Sequence, residues 1–207
     1  FVLCIFNCPF FTPPLPVRKK PVDWSTPWTI FGIDMGQTLS GAEERHKKPM
    51  SQFVHLNVHS DYSKGWGVAS IEALCRRAKT LQMDRLALTD TNGVYGLIFF
   101  VQMAKEVGIT PIVGSELSCD GRRAVVLVKN YEGYTHLSHI ISARQCHGDF
   151  DLIRAISNRR RGLIIFSDDF TLLKALKRDS MENLFVEMSP GYNMSRCHAF
   201  SRKSGIP

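Results

Sequence analysis

From about residue 50 onward, apolar and polar positions alternate in short blocks that repeat one layout. Phe53, Leu56 and Val58 supply the apolar content of a short strand, which stops at the polar cluster His59, Ser60 and Asp61. Two later segments, Leu86-Ala-Leu-Thr-Asp90 and Pro111-Ile-Val-Gly-Ser-Glu116, are also apolar runs that finish in a carboxylate. A stretch with helical periodicity separates each from its predecessor. In a parallel β/α arrangement the strand C-termini open onto one face, so His59, Asp90 and Glu116 are expected to converge although they are distant in sequence.

The same reading extends along the chain. Ser70 is placed to cap a helix carrying Ile71, Leu74, Ala78 and Leu81 on one face, with Glu72 in its first turn. A strand over 85–89 follows, then a helix over 95–107 that Gly108 ends in a left-handed turn. The strand 111–117, the turn Cys119-Asp120-Gly121 and the strand 124–128 read as a hairpin-like return. Helices over 134–143 and 151–157, a strand over 163–166, a helix over 170–177, a strand over 184–188 and an amphipathic stretch over 194–203 complete the pattern. Strands alternating with helices predict an α/β fold. The chain ends where another strand would begin, so a barrel of this kind is expected to be unclosed, with unpaired edges.

Residues 1–49 differ in character. Their opening is apolar but too short to span a bilayer, and Pro9, Pro13, Pro14 and Pro16 break any helix there. Arg18-Lys19-Lys20 follows the apolar stretch instead of preceding it, the reverse of a secretory signal. An irregular arm over 1–49 and a folded domain over 50–207 are expected, with Met50 a natural start and the arm either native or foreign to the protein.

A hydrophobic fraction of 44% indicates a globular chain of 207 residues, enough for one domain with a real core. The net charge of +7 is compatible with an acidic partner such as nucleic acid. Arg76, Arg77, Arg122, Arg123 and the run Arg159-Arg160-Arg161 are the candidate contacts, although that run also reads as a helix end entering a turn. Six cysteines lack the paired spacing of a zinc ribbon, and reduced thiols in a cytoplasmic protein with no membrane segment are expected.

His55-Leu-Asn-Val-His59-Ser-Asp-Tyr-Ser63, Leu86-Ala-Leu-Thr-Asp90-Thr-Asn92-Gly and Gly108-Ile-Thr-Pro-Ile-Val-Gly-Ser-Glu116 together resemble the polymerase and histidinol phosphatase (PHP) domain that opens bacterial DNA polymerase III alpha subunits. Val128-Lys-Asn-Tyr-Glu-Gly-Tyr134 is similar to the next signature of that family, and the likeness runs in register from about Gln52 to Pro207. The resemblance implies a distorted (β/α)7 barrel, TIM-like and incomplete here, with metals at the strand C-termini. Family members with intact sites use zinc or manganese to hydrolyse phosphoesters, some as 3′-5′ exonucleases.

The resemblance also implies that several ligands are missing. The opening His-x-His pair falls on Asn57 and His59, an aspartate on or near Trp66, a histidine on Thr91, and a later histidine within Glu187-Met-Ser-Pro190. His59, Asp90 and Glu116 survive as vestigial ligands, with Asp168 or Asp169 near a position usually held by cysteine. Without metal, Asp90 reads as a loop-shaping turn residue and His59-Ser60-Asp61 as a hydrogen-bonded loop, whereas Glu116 ends an apolar strand and needs a partner. His136, His139, His147 and His198 read as surface or helix residues.

The implied function is an N-terminal PHP module of an alpha-type subunit in DNA replication. Its metal site is degraded, and it serves as scaffold for downstream polymerase modules and replisome subunits, with DNA bound by the intact protein. No tightly bound cofactor is expected, and at most one weakly held divalent cation. The alternatives are a metal-dependent phosphoesterase using His59, Asp90, Glu116 and Asp168, and a nucleic-acid-binding module using the arginines.

Overall fold

The computed structural model describes residues 53–146, 148–189 and 193–207; the expected arm over 1–49 lies outside them. Among the described residues six helices and five strands follow one another in the order α1 (Ile71–Thr80), β1 (Arg85–Leu88), α2 (Leu97–Val107), β2 (Thr110–Cys119), β3 (Arg122–Val128), α3 (Tyr131–Cys146), α4 (Leu152–Asn158), β4 (Leu163–Ser167), α5 (Phe170–Asp179), β5 (Leu184–Val186) and α6 (Met194–Ser204). The strands form one sheet in the order β1-β2-β3-β4-β5.

Local chemistry sets the boundaries. The Ser70 side chain accepts from the Ala73 N–H at the start of α1, and Ile71, Cys75 and Ala78 form its buried stripe. Gly108, at φ 72°, closes α2 in the left-handed conformation a side chain resists. Asp151 and Asp169 cap α4 and α5 in the same way as Ser70.

Strand direction is mixed. β1 pairs parallel with β2, and β4 with β5, but β3 runs antiparallel to both of its neighbours. The two-residue turn Asp120-Gly121, at φ 50° and 75°, has the double positive φ of a primed hairpin turn, and it fixes the β2/β3 register with Glu116 opposite Val125. A purely parallel arrangement therefore does not hold at β3. The start of that strand, not its end, reaches the edge where β4 and β5 finish, which brings Arg122 and Arg123 there.

The expected strand over 53–58 is an extended segment rather than a ladder. Its carbonyls at His55 and Val58 accept from Ala87 and Thr89 N–H at 3.0 and 2.8 Å. Its own Val58 N–H donates to the Thr89 hydroxyl at 2.8 Å, so a side chain stands where a ladder carbonyl would be.

Three apolar groups support the sheet. α1 and α2 bury Ile71, Cys75, Phe100 and Met103 against Leu86 and Leu88 of β1. α3, α4 and α5 bury Leu137, Ile140, Ile156, Leu172 and Leu173 against β2 to β5. Ala87, Val125, Leu127 and Phe166 form the third group, from β1, β3 and β4.

Candidate metal centre

Asp90 follows β1 and is 2% exposed. Its Oδ1 accepts from the Ser60 N–H at 2.7 Å and the Ser63 hydroxyl at 2.6 Å, and its Oδ2 accepts from the Ser60 hydroxyl at 2.8 Å. The carboxylate thus ties down the loop after residue 59. His59 joins the same network through Nδ1, 3.1 Å from the Ser63 hydroxyl, and Trp66 stacks on its ring at 6.3 Å between centroids. The reading of residues 59–61 as a hydrogen-bonded loop fits these contacts, whereas Asp90 acts not as a local turn residue but as the acceptor for that loop.

Glu116 sits on β2, bonded backbone to backbone with the end of β1 through Thr89 and Asp90 carbonyls. Its Oε2 accepts from Arg123 Nη1 at 2.6 Å and Asn57 Nδ2 at 3.3 Å. His59 Nε2 lies 3.6 Å from the same oxygen, an electrostatic contact rather than a hydrogen bond. Asn57 is itself held by the Thr89 hydroxyl, which donates to its Oδ1 at 2.6 Å. The partner that a buried carboxylate needs is therefore a guanidinium.

Arg123 reaches further. Its Nη2 donates to Glu187 Oε2 at 2.5 Å and lies 3.6 Å from Asp168 Oδ1. The register explains the geometry: with Glu116 opposite Val125, Arg123 is the diagonal neighbour on the same face. Its own carbonyl accepts from the Ser167 hydroxyl, which pins the start of β3 to the end of β4.

The two glutamates respond in opposite directions. Burial works against the Glu116 charge, but His59 and Arg123 outweigh it and bring the carboxyl down to about 2. Burial pushes Glu187 up to about 7 against the pull of Arg123, and Asp168 and Glu116 add to the rise. Arg123 is held above its ordinary value, because Glu187 and Glu116 overcome the cost of its burial.

The four expected ligand residues do not form one donor set. His59 and Glu116 come together, Asp168 meets them only across Arg123, and Asp90 is engaged by the serines. Asp169, the alternative to Asp168, caps α5 and pairs with Arg122 at 2.9 Å. Thr91, at a position where the resemblance implies histidine, has its N–H 3.1 Å from the Ser63 hydroxyl. Trp66 is 59% exposed and Pro190 lies outside the described residues. Among the described residues no three His, Cys, Asp or Glu side chains are grouped as metal ligands. This donor set does not fit a multinuclear zinc or manganese centre: an amide and a hydroxyl offer weak ligands, and a guanidinium lies between the carboxylates.

Sequence reasoning missed Arg123 and Glu187 as members of the site. Leu184-Phe-Val-Glu187 carries the same signal as Glu116, an apolar strand ending in a carboxylate. Arg123 could have been placed by counting across the Asp120-Gly121 turn. Of the arginines expected to contact nucleic acid, Arg76 pairs with Glu72, Arg122 with Asp169, and Arg160 donates to the Leu176 and Glu182 carbonyls. His136, His139 and His198 lie on helices, and His147 is outside the described residues.

The chain is an α/β protein with carboxylates at its strand ends, and comparison with known proteins narrows the class. The PHP domain model matches residues 55–185, and the chain belongs to that family. The DNA polymerase III subunit alpha of Treponema pallidum is 33% identical over 156 residues, covering 63% of this chain and 13% of that protein. The corresponding subunit of Buchnera aphidicola from Acyrthosiphon pisum is 37% identical over 98 residues, 44% of this chain and 8% of the relative. An error-prone DNA polymerase of Symbiobacterium thermophilum is 40% identical over 92 residues, again 44% and 8%. The chain thus spans a small part of the length of these relatives. Among solved structures, a proposed metal-dependent phosphoesterase of Bifidobacterium adolescentis superposes with a TM-score of 0.53 at 11% identity, covering 77% of this chain and 86% of that one, a likeness of fold alone.

Proposed function

We propose that the chain is the PHP module of a DNA polymerase III alpha-type subunit, and that it acts as a scaffold and not as a phosphoesterase. Its partners on this reading are the downstream polymerase modules and replisome subunits, with DNA bound by the intact cytoplasmic protein. The observation that carries the reading is the closure of Asp90. Its two oxygens take three short hydrogen bonds from Ser60 and Ser63, so the carboxylate organises a loop and has little left for a cation. The sequence likeness to alpha subunits supports the polymerase context. No helix among the described residues is long and apolar enough to cross a membrane.

Turnover tests the reading directly. After chelation and exchange into manganese or zinc buffer, the chain is expected to release no nucleotide from 3′-labelled DNA and no phosphate from a small phosphomonoester. It is also expected to retain no tightly bound metal. Two or more metal equivalents per chain, with hydrolysis abolished by Glu116→Ala, would replace the scaffold with the metal-dependent phosphoesterase using His59, Asp90, Glu116 and Asp168.

A further inference from the structure

Helices α5 and α6 meet in a parallel seam. Contacts climb both in the same direction: Arg196 lies over the Phe170 ring and Lys174 over the Phe200 ring, each 5.9 Å from the centroid, and Lys177 donates to the Ser204 carbonyl. Phe170 and Phe200 stack on one another at 4.3 Å with their planes 6° apart, and both pack against the core beneath. Lys174, Lys177 and Arg178 follow Phe170 at three- and four-residue steps along one face of α5, and Arg196 and Lys203 flank Phe200 in the same way on α6. All five cations are exposed. Such a row of like charges repels itself, and no carboxylate relieves it. The acids closest in sequence are engaged elsewhere: Asp168 lies against Arg123, Asp169 pairs with Arg122, and the charges of Asp179 and Glu182 act on Arg160. α6 carries no carboxylate at all. Among the described residues none of the five is in an ion pair.

Resting on the module reading above, we propose that the seam between α5 and α6 grips the phosphates of a DNA strand, independently of base sequence. Two features favour DNA over an acidic protein surface. The phenylalanine rings close on one another, so the seam presents no apolar pocket for a protein anchor and no open ring face for a base. What it presents is charge at regular intervals: the seven-residue step from Arg196 to Lys203 rises about 10 Å, the length of about three nucleotides of one strand. The planar forks of Arg178 and Arg196 add donors suited to phosphate oxygens. The ring faces and the Ser204 carbonyl hold Arg196, Lys174 and Lys177 in place without neutralising them, so their charge is preserved for a polyanion.

The test is fluorescence anisotropy of a labelled DNA duplex with the full chain, in chelator, across a salt series. The triple variant Arg178→Gln, Arg196→Gln, Lys203→Gln is expected to bind about tenfold or more weakly at low salt. Its plot of log K against log salt should flatten by about 3, one for each lost phosphate contact. Removing the same charge elsewhere, with Lys64→Gln, Arg85→Gln and Lys105→Gln, should flatten the plot by less than about 1. If loss of Arg196 from the Phe170 ring loosens the helices, the pair Arg178→Gln, Lys203→Gln decides. It leaves both rings covered and should still flatten the plot by about 2. A seam variant with the wild-type salt dependence, or a control variant that flattens the plot as much, would overturn the proposal. So would polyglutamate of matched charge bound as tightly as the duplex, which would make the seam a site for an acidic protein segment. Each of these results leaves the module reading in place. Chelator keeps metal-dependent turnover out of this readout, so phosphoester hydrolysis by the wild type in manganese buffer remains a separate result that overturns the module reading alone.

Discussion

Glu116 and Glu187 share one guanidinium, and their opposite shifts give each a separate pH signature. Glu116 falls from an ordinary 4.5 to about 2, so the stability it contributes is complete above 4.5 and is lost as pH drops through about 2. Glu187 rises from 4.5 to about 7, so its contribution is complete below 4.5 and is lost as pH climbs through about 7. The thermal midpoint should therefore decline from about pH 5 to about pH 8, and Glu187→Gln should flatten that decline because the amide carbonyl still accepts from Arg123 without titrating. Calorimetric scans across the range check this, and a midpoint in the Gln variant that declines as steeply as wild type would refute it. Restoring imidazoles is a second residue-scale experiment. The double variant Asn57→His, Thr91→His should gain only weak affinity for manganese by isothermal titration, because Arg123 still lies against Glu116. At this scale the sequence revealed that Glu116 needed a partner but not which one, since the partner arrives across a turn whose register was not counted.

The loop joining residue 59 to α1 is the element that the serine network builds, and its shape depends on Gly67. A Cβ there would lie 1.7 Å from the Ser60 carbonyl oxygen, a backbone atom that cannot swing away. The loop is closed by Gly67 N–H donating to the Ser63 carbonyl and Asp61 N–H to the Ala69 carbonyl, both at 3.0 Å. Gly67→Ala should therefore cost about 2 kcal/mol, comparable to overpacking a core. Asp90→Ala, which leaves the buried Ser60 and Ser63 donors unsatisfied, should cost about 3 kcal/mol. Because both changes disturb one network, the double variant should fall short of their sum by more than about 0.5 kcal/mol in urea unfolding, and simple additivity would show that the loop and the carboxylate are independent. The ends of α1 and α2 were legible in the sequence because Ser70 and Gly108 act locally, each on its own turn of chain, whereas Asp169, read as a candidate ligand, caps α5. The segment over 53–58 was misread as a regular strand because its apolar content is right, and only the Thr89 hydroxyl, distant in sequence, replaces the ladder bond.

Across the whole sheet, β1 and β5 are the outer strands, as an unclosed sheet requires, and each takes a few main-chain hydrogen bonds on its outer side. The segment before residue 60 covers β1 through its bonds to Ala87 and Thr89, and the Val186 N–H of β5 donates to the Pro207 carbonyl at 2.7 Å. The second contact depends on chain reversal after α6. Gly205, at φ 74°, closes that helix in the left-handed conformation, the Ser201 hydroxyl donates to the Ile206 carbonyl at 2.7 Å, and Ile206 packs at 1% exposure into the group that holds Leu184 and Val186. Periodicity could mark α6 and its terminal glycine, but not that the residues beyond would return to β5, since two residues carry no pattern. Their weight follows from burial: truncating a buried isoleucine to alanine costs about 2–5 kcal/mol, and removing Ile206 with Pro207 also strips β5 of a main-chain acceptor. Deletion of residues 206 and 207 should lower the urea midpoint accordingly, and amide exchange at Val186 should accelerate along with that of its neighbours in β5. Ile206→Ala separates the two contributions, since it keeps the Pro207 carbonyl: it should account for most of the stability loss yet leave Val186 slower to exchange than in the deletion. Equal exchange in both variants would mean that the apolar anchor, not the hydrogen bond, protects the edge of β5.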